Sequence, residues 1–316
     1  MTAIQTAREE QTIGDHGESG GAPERCCISW TGGKDCNLAL LKCWRDPSLD
    51  VTDLVVFQPE GKPDFEAHPK TIMQAQADAL GLTLRFLMLP SSIPYRDGYV
   101  NAVKELRDVH GITVIATGDM DLVEIENCSD NYIKECCAMA GGGIRTYLPL
   151  WKADRAECLT TLVLDEGYEI VFSCVKSPWF DVSWCGKTLD AETFQTMIAM
   201  SEGVAFDEGE MIDWGPKDPR RKPLDLGGEN GEYHSMVLDG PLYKHGIEIT
   251  GVAAEVANAN DNDIDENEKK PIIQLNSVVS GPSKNGEDRW WTYDGQTRWS
   301  LGKFKVGTKR RTEQQQ

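Results

Sequence analysis

Between Cys26 and Leu148 short apolar runs alternate with stretches of helical periodicity, and few folds accommodate that rhythm. Cys26–Trp30, Val51–Phe57, Leu82–Leu89, Ile112–Thr117 and Arg145–Leu148 read as strands. Asp35–Trp44, Pro69–Leu80, Tyr99–Val109 and Tyr132–Ala140 read as helices. Pro69 suits a first helical turn, and Gly81 suits a stop. Strands that are apolar throughout bury both faces. The expectation is therefore an α/β fold, with a mostly parallel sheet flanked by helices and right-handed crossovers.

Beyond Pro149 the rhythm changes. Asp154–Glu166 is amphipathic, Tyr168–Val175 reads as a strand, and a helix lies within Lys187–Met200. Strands are expected near 235–239 and 247–255, after a glycine-rich opening at Gly227. Together these form a smaller C-terminal α+β domain. The layout expected is a disordered leader over 1–24, a first domain over 25–150 and a second over 151–256. An Asn, Asp and Glu-rich acidic loop follows over 257–270, then a strand at Ile272–Val279 and a tail within 271–316. Trp290, Trp291, Trp299 and Phe304 should dock on the domain or on a partner, and the closing TKRRTEQQQ reads as solvated tail.

Charge narrows the partners. The 51 Asp and Glu outnumber the 32 Lys and Arg, for a net charge of -19. That makes nonspecific nucleic-acid or anionic-membrane binding a poor expectation, so no stable nucleic acid and no membrane partner are expected. No apolar run reaches 18 residues, and the N-terminus has no apolar signal core, which together favour a cytoplasmic chain. The 10 cysteines include no CxxC pair and read as buried thiols in a reducing compartment.

The sharpest local signal is Ser29-Trp30-Thr31-Gly32-Gly33-Lys34-Asp35-Cys36, between the first strand and the first helix. Two glycines let backbone approach a ligand, and the helix start offers N–H groups to an anion. Thr31 adds a hydroxyl, Lys34 a positive charge, and Asp35 an oxygen ligand suited to Mg2+. Two readings stand: a phosphate loop, or a plain strand–turn–helix junction with Asp35 as N-cap. The spacing is neither that of a GxxxxGK[ST] loop nor that of GxGxxG.

This stretch resembles the SGGKD signature of the N-type ATP pyrophosphatases. The resemblance implies a HUP-like (adenine nucleotide alpha hydrolase-like) sheet and cleavage of ATP to AMP and pyrophosphate. Further blocks follow the order of the diphthine–ammonia ligase family. They are His68-Pro69, Gly118-Asp119, Pro149-Leu150-Trp151, Trp184-x-Gly186 with Leu189-Asp190, and Gly228-Glu229-Asn230-Gly231-Glu232-Tyr233-His234 with Val237-Leu238-Asp239-Gly240-Pro241-Leu242-Tyr243. The likeness spans roughly 26–250. It implies an enzyme that adenylates the carboxylate of diphthine on translation elongation factor 2, after which ammonia displaces AMP to leave diphthamide. ATP and Mg2+ are the implied cofactors.

On that likeness Lys34, Asp35 and Asp119 are the catalytic candidates, with Asp35 the metal ligand. Ser29, Thr31, Gly32, Gly33, Lys34, Asp35, Cys36 and His68 are assigned to ATP. Trp151, Trp184, Glu229, Asn230, Glu232, His234 and Asp239 are assigned to the acceptor, where the acids suit a cationic, even trimethylammonium, group. Cys36 stands where the signature usually has Ser, and a thiol is the weaker donor. A helix N-terminus could also favour its thiolate. Three alternatives stay open: another carboxyl or carbonyl acceptor (a small molecule or tRNA), an ATP-binding regulatory protein, and an adaptor acting through the C-terminal aromatics. A homo-oligomer is also left open.

Overall fold

The computed structural model describes residues 21–61, 67–122, 128–176, 179–202, 224–251, 278–280, 298–301 and 304–309. Most of the expected leader, the acidic loop, Ile272 to Ser277, Trp290, Trp291 and the end of the tail lie outside the described residues.

Five strands form a parallel sheet: β1 (Glu24–Ser29), β2 (Leu49–Pro59), β3 (Thr83–Leu89), β4 (Val114–Ala116) and β5 (Arg145–Tyr147). Their order is β3-β2-β1-β4-β5. Adjacent residues point to opposite faces, and both faces are buried. Ile28, Leu54, Val114 and Ala116 face one core, while Cys27, Val55 and Ile115 face the other. Helices α1 (Lys34–Trp44) and α2 (Lys70–Leu80) cover the first face through Leu38, Leu41, Ile72 and Ala77. Helices α3 (Tyr95–Asp108) and α4 (Tyr132–Ala140) cover the second through Tyr99, Val103, Leu106 and Ile133. This is the parallel sheet with two helical layers that the apolar rhythm implies.

One boundary differs. The third helix begins at Tyr95 rather than Tyr99, with Gly98 inside it. A Cβ on Gly98 would lie 3.6 Å from Pro90 and 3.7 Å from Leu89, so the glycine brings the helix close to β3 instead of ending it. Helix α5 (Arg155–Thr160) is also shorter than expected and loosens into one π-helical turn, Thr161–Asp165. The last helix, α6 (Ala191–Ser201), starts behind Asp190, whose carboxylate accepts from the Thr193 amide.

The second half builds an antiparallel sheet from β6 (Glu169–Lys176), β7 (Tyr233–Asp239), β9 (Val278–Ser280) and β10 (Arg298–Leu301), in the order β7-β6-β10-β9. A separate pair joins β8 (Gly246–Gly251) to β11 (Phe304–Lys309). Phe304, one of the expected docking aromatics, packs against the main core. Thr308 and Lys309 belong to β11, which corrects the expectation that they open the solvated tail.

The two halves share one core. Phe172, Tyr233 and Val237 cluster with Leu38, Ile72 and Ala77 of the α1/α2 layer. Polar contacts fix the docking. The Tyr243 hydroxyl donates to Asn37 Oδ1 at 2.8 Å, and the Lys244 amide donates to the Ala79 carbonyl at 2.8 Å. Among the described residues no helix is long and apolar enough to cross a membrane.

Candidate functional site

The strand order reverses between β1 and β4, and the loops that leave them bound a crevice at the carboxyl ends of the strands. The loop after β1 contains Thr31 to Gly33, and the loop after β4 contains Gly118 and Asp119. They meet closely. A Cβ on Gly118 would stand 2.6 Å from the Asp35 carbonyl carbon and 2.7 Å from the Cys36 nitrogen. Only glycine leaves the first turn of α1 where it is.

Gly33, not Asp35, holds the N-cap position, with extended backbone and no side-chain cap. Asp35 lies within the first turn, so the plain-junction reading with Asp35 as cap does not hold. Gly32 adopts φ +80°, where a side chain is strained. Among the described residues, the Gly33 and Asp35 amides have no protein acceptor. Thr31 is exposed beside them.

Lys34 is only 3% exposed. Its ammonium donates to the Gly227 carbonyl and, at 2.8 Å, to Asp35 Oδ2, and it lies 5.0 Å from the centre of the Tyr233 ring. Burial alone would weaken its hold on the proton. The Asp35 carboxylate, then Tyr233 and Glu229, outweigh burial, so its pKa is raised and it stays charged. The Lys34 amide also donates to Ser235 Oγ at 3.2 Å. The first sequence block is therefore bonded to the second across some 200 residues of chain.

Gln76, a residue that the sequence did not single out, locks this arrangement. Fully buried on α2, it accepts from Trp30 Nε1 at 3.1 Å and donates to the carbonyls of Gly32 and Val237, each at 2.8 Å. The Val237 amide also donates to Gly32 O at 3.1 Å. Helical periodicity alone could have flagged Gln76, because it occupies an inward position of an apolar helix face.

Cys36 donates to the Gly33 carbonyl at 3.2 Å. Burial pushes its thiol up to about 11, against hydrogen bonds from Thr31 and Gly32. That corrects the thiolate reading: the helix start does not offset desolvation. Accordingly, Cys36 should resist iodoacetamide at neutral pH while the half-buried Cys128 is alkylated first. Site-resolved mass spectrometry checks this, and rapid labelling of Cys36 would contradict the buried placement.

Asp119 follows β4 and accepts from Asn131 Nδ2 at 2.5 Å. Burial raises its carboxyl above the usual range, and the Asp35 carboxylate adds to the rise. His68 is buried, with its ring 5.3 Å from and nearly perpendicular to that of His234. A Cβ on Gly33 would lie 3.5 Å from His68 Cε1, so both histidines border the loop. Ser29 ends β1, half-buried in register with Val55.

The assigned acceptor residues separate into groups. Glu229 and Asn230 are exposed at the turn above Lys34. The Glu229 carboxyl is nonetheless pushed up to about 7, by burial first and then by the Asp35 carboxylate. A carboxyl held above its ordinary 4.5 binds more protons folded than unfolded, so this group's contribution to stability falls as pH rises from 4.5 to 7. Thermal melts should therefore show Glu229→Gln gaining on the parent protein across that window. A constant difference would contradict the raised pKa.

Trp184 packs in an aromatic cluster with Phe172, Phe180 and Tyr233, its ring 4.9 Å from Phe180. Phe172 and Phe180 connect it to Tyr233, the ring beside Lys34. Trp151 is half-buried, its ring 5.4 Å from the Lys152 ammonium, which pairs with Asp121. Asp239 lies at the far end of β7, where it accepts from the Gly240 amide at 2.8 Å and shapes the turn to Gly246.

Register exposes a second group. His234 pairs with Cys174, and Cys174 with Ser300, so the three share one face of the antiparallel sheet. Lys176 and Glu232 are two residues along β6 and ahead of His234, on the same face, and the Lys176 amide donates to the Glu232 carbonyl at 2.9 Å. Lys176, Cys174 and Ser300 carry no motif. Only the strand pairing brings them beside Glu232.

The donor set suits an anion: loop amides, a threonine hydroxyl and a buried ammonium at a helix start. Among the described residues no group of three or more His, Cys, Asp or Glu side chains forms a metal shell. Mg2+ held by a carboxylate, phosphate oxygens and water needs none, and Asp35 is the carboxylate that the loop after β1 offers.

Residues 24–141 match the family model described as the diphthamide synthase N-terminal domain. Residues 155–264 match that described as the diphthamide synthase C-terminal domain. A comparison with curated proteins gave no match.

Proposed function

Because the chain belongs to the diphthamide synthase family, with both domains matched in order, we propose that it is an ATP-dependent amide ligase. It converts diphthine on translation elongation factor 2 to diphthamide with ammonia, releasing AMP and pyrophosphate. The observation that carries this reading is Lys34, the loop lysine, bonded to Gly227 at the head of the second block. One side chain thereby links the phosphate loop to the acceptor block.

A carboxylate is a poor electrophile because its charge is delocalised and hydroxide or oxide leaves badly. ATP supplies the leaving group. In this reading the Gly33 and Asp35 amides and Thr31 bind phosphate oxygens, and Asp35 takes Mg2+. Lys34 stabilises negative charge that grows on the departing pyrophosphate. The turn from Gly228 to Gly231 borders the acceptor. The protein works in the cytoplasm, where elongation factor 2 is met, and needs no stable nucleic-acid partner.

The test is mass spectrometry of diphthine-bearing elongation factor 2 incubated with the protein, ATP, Mg2+ and ammonium. The expected product carries the amide in place of the carboxylate. Diphthine left unchanged, under conditions where an authentic diphthine–ammonia ligase completes the reaction, would overturn the proposal.

A further inference from the structure

We infer that Glu232 is the ammonium site of this reaction, binding the nitrogen donor through its inward carboxylate oxygen and taking the proton that frees ammonia to attack. This rests on the ligase reading above and assigns a role within it.

Glu232 is 2% exposed. Its Oε1 accepts two long hydrogen bonds, from the Asp225 amide and from Asn230 Nδ2, each 3.4 Å. Its Oε2 is buried and, among the described residues, has no hydrogen-bond partner. A buried, unsatisfied carboxylate oxygen is costly, and the cost is relieved by a ligand that brings a donor.

The chemistry of that ligand is constrained. Trimethylammonium has no N–H, so it would leave Oε2 unsatisfied, and it is too bulky for so enclosed an oxygen. Ammonium is about the size of water and carries four donors. Asp225 stands beside Glu232, and Asp35 and Asp225 crowd Glu229 three residues earlier, against Lys34, Arg155, which lies 3.7 Å from Asp225, and Lys176 opposite Glu232 on β6. Burial, helped by the Asp225 carboxylate, raises the Glu232 carboxyl and makes it the stronger base. Position also fits: the Asp225 amide that donates to Glu232 lies two residues before Gly227, whose carbonyl holds the Lys34 ammonium.

The step balances. At neutral pH ammonia is almost wholly ammonium, which has no lone pair. One proton passes to Glu232. The freed nitrogen attacks the activated carbonyl, a C–N bond forms, and the C–O bond to AMP breaks with its electron pair leaving on AMP. The second proton goes to solvent.

Hydroxylamine separates this from an acceptor-binding role, because it is largely uncharged at neutral pH and needs no base. With diphthine-bearing elongation factor, ATP and Mg2+, Glu232→Gln should raise the KM for ammonium by roughly tenfold or more. Hydroxamate formation with hydroxylamine should stay within about threefold of the parent. Glu232→Asp, which keeps the charge, should fall between the two for ammonium. An unchanged ammonium KM would overturn the inference, as would equal loss with both nucleophiles in both variants. Failure of the parent protein to form either product is a different result, since it removes the ligase reading itself.

Discussion

Replacing Lys34 with methionine should reduce ATP-dependent pyrophosphate release by about a hundredfold to a thousandfold, the range seen when one preorganised charge donor is removed. The chain should also lose stability. Lys34 Nζ is buried against the Gly227 carbonyl, the Asp35 carboxylate and the Tyr233 ring. Methionine fills similar volume but leaves that carbonyl and that carboxylate without their donor. Breaking a buried pair costs about 3–5 kcal/mol. Asp35 retains 27% exposure, so water recovers part of this and the lower end is expected. Urea melts and a pyrophosphate assay read the two effects separately. Parent-like turnover would remove Lys34 from the phosphate site, and parent-like stability would deny its bond to the second block.

Gly118→Ala should separate activity from folding more cleanly. The added Cβ meets backbone, with the Asp35 carbonyl oxygen at 2.8 Å and the Cys36 nitrogen at 2.7 Å, so no side chain can swing away. Either the loop after β4 or the first turn of α1 must shift. Overpacking of this kind costs about 1–3 kcal/mol, which a domain of this size should survive. A displacement of about 1 Å in positioned groups costs on the order of a hundredfold in rate. The protein should therefore melt cooperatively, bind ATP weakly by equilibrium dialysis, and release pyrophosphate at no more than about a hundredth of the parent rate. Full activity would mean that the loops after β1 and β4 do not form one site.

Much of this was legible in the sequence because it is local. Strand–loop–helix order around Gly32-Gly33 depends on a few adjacent residues, and so does the glycine-rich turn before Tyr233. The apolar alternation placed all five parallel strands, since buried strands carry their signal in their own side chains. Gly98 misled because a glycine reads as a helix end when the strand it packs against is not known. Gln76 was hidden for a related reason. Its three partners, Trp30, Gly32 and Val237, come from distant segments, and on one chain it looks like an ordinary polar helix residue. The face holding Lys176, Cys174 and Ser300 was equally out of reach, because register between β6, β7 and β10 is a tertiary fact. Asp239 shows the opposite case. A motif singled it out, yet the structure gives it a turn to hold.

The position of β10 has a consequence for how the molecule is made. Residues 298–301 lie inside the second sheet, between β6 and β9, although β6 ends at Lys176. On a translating ribosome β6, paired with β7 once that strand is made, must wait through more than a hundred further residues of synthesis for that neighbour. The parallel sheet, complete by Tyr147, can form while they wait. Assembly is thus vectorial: the loop after β1 can be shaped early, whereas the sheet bearing Glu232 closes only with the last strands. A stalled nascent chain would present β6 with an open edge able to pair with another chain, and the interval before β10 emerges is when this protein most needs a chaperone.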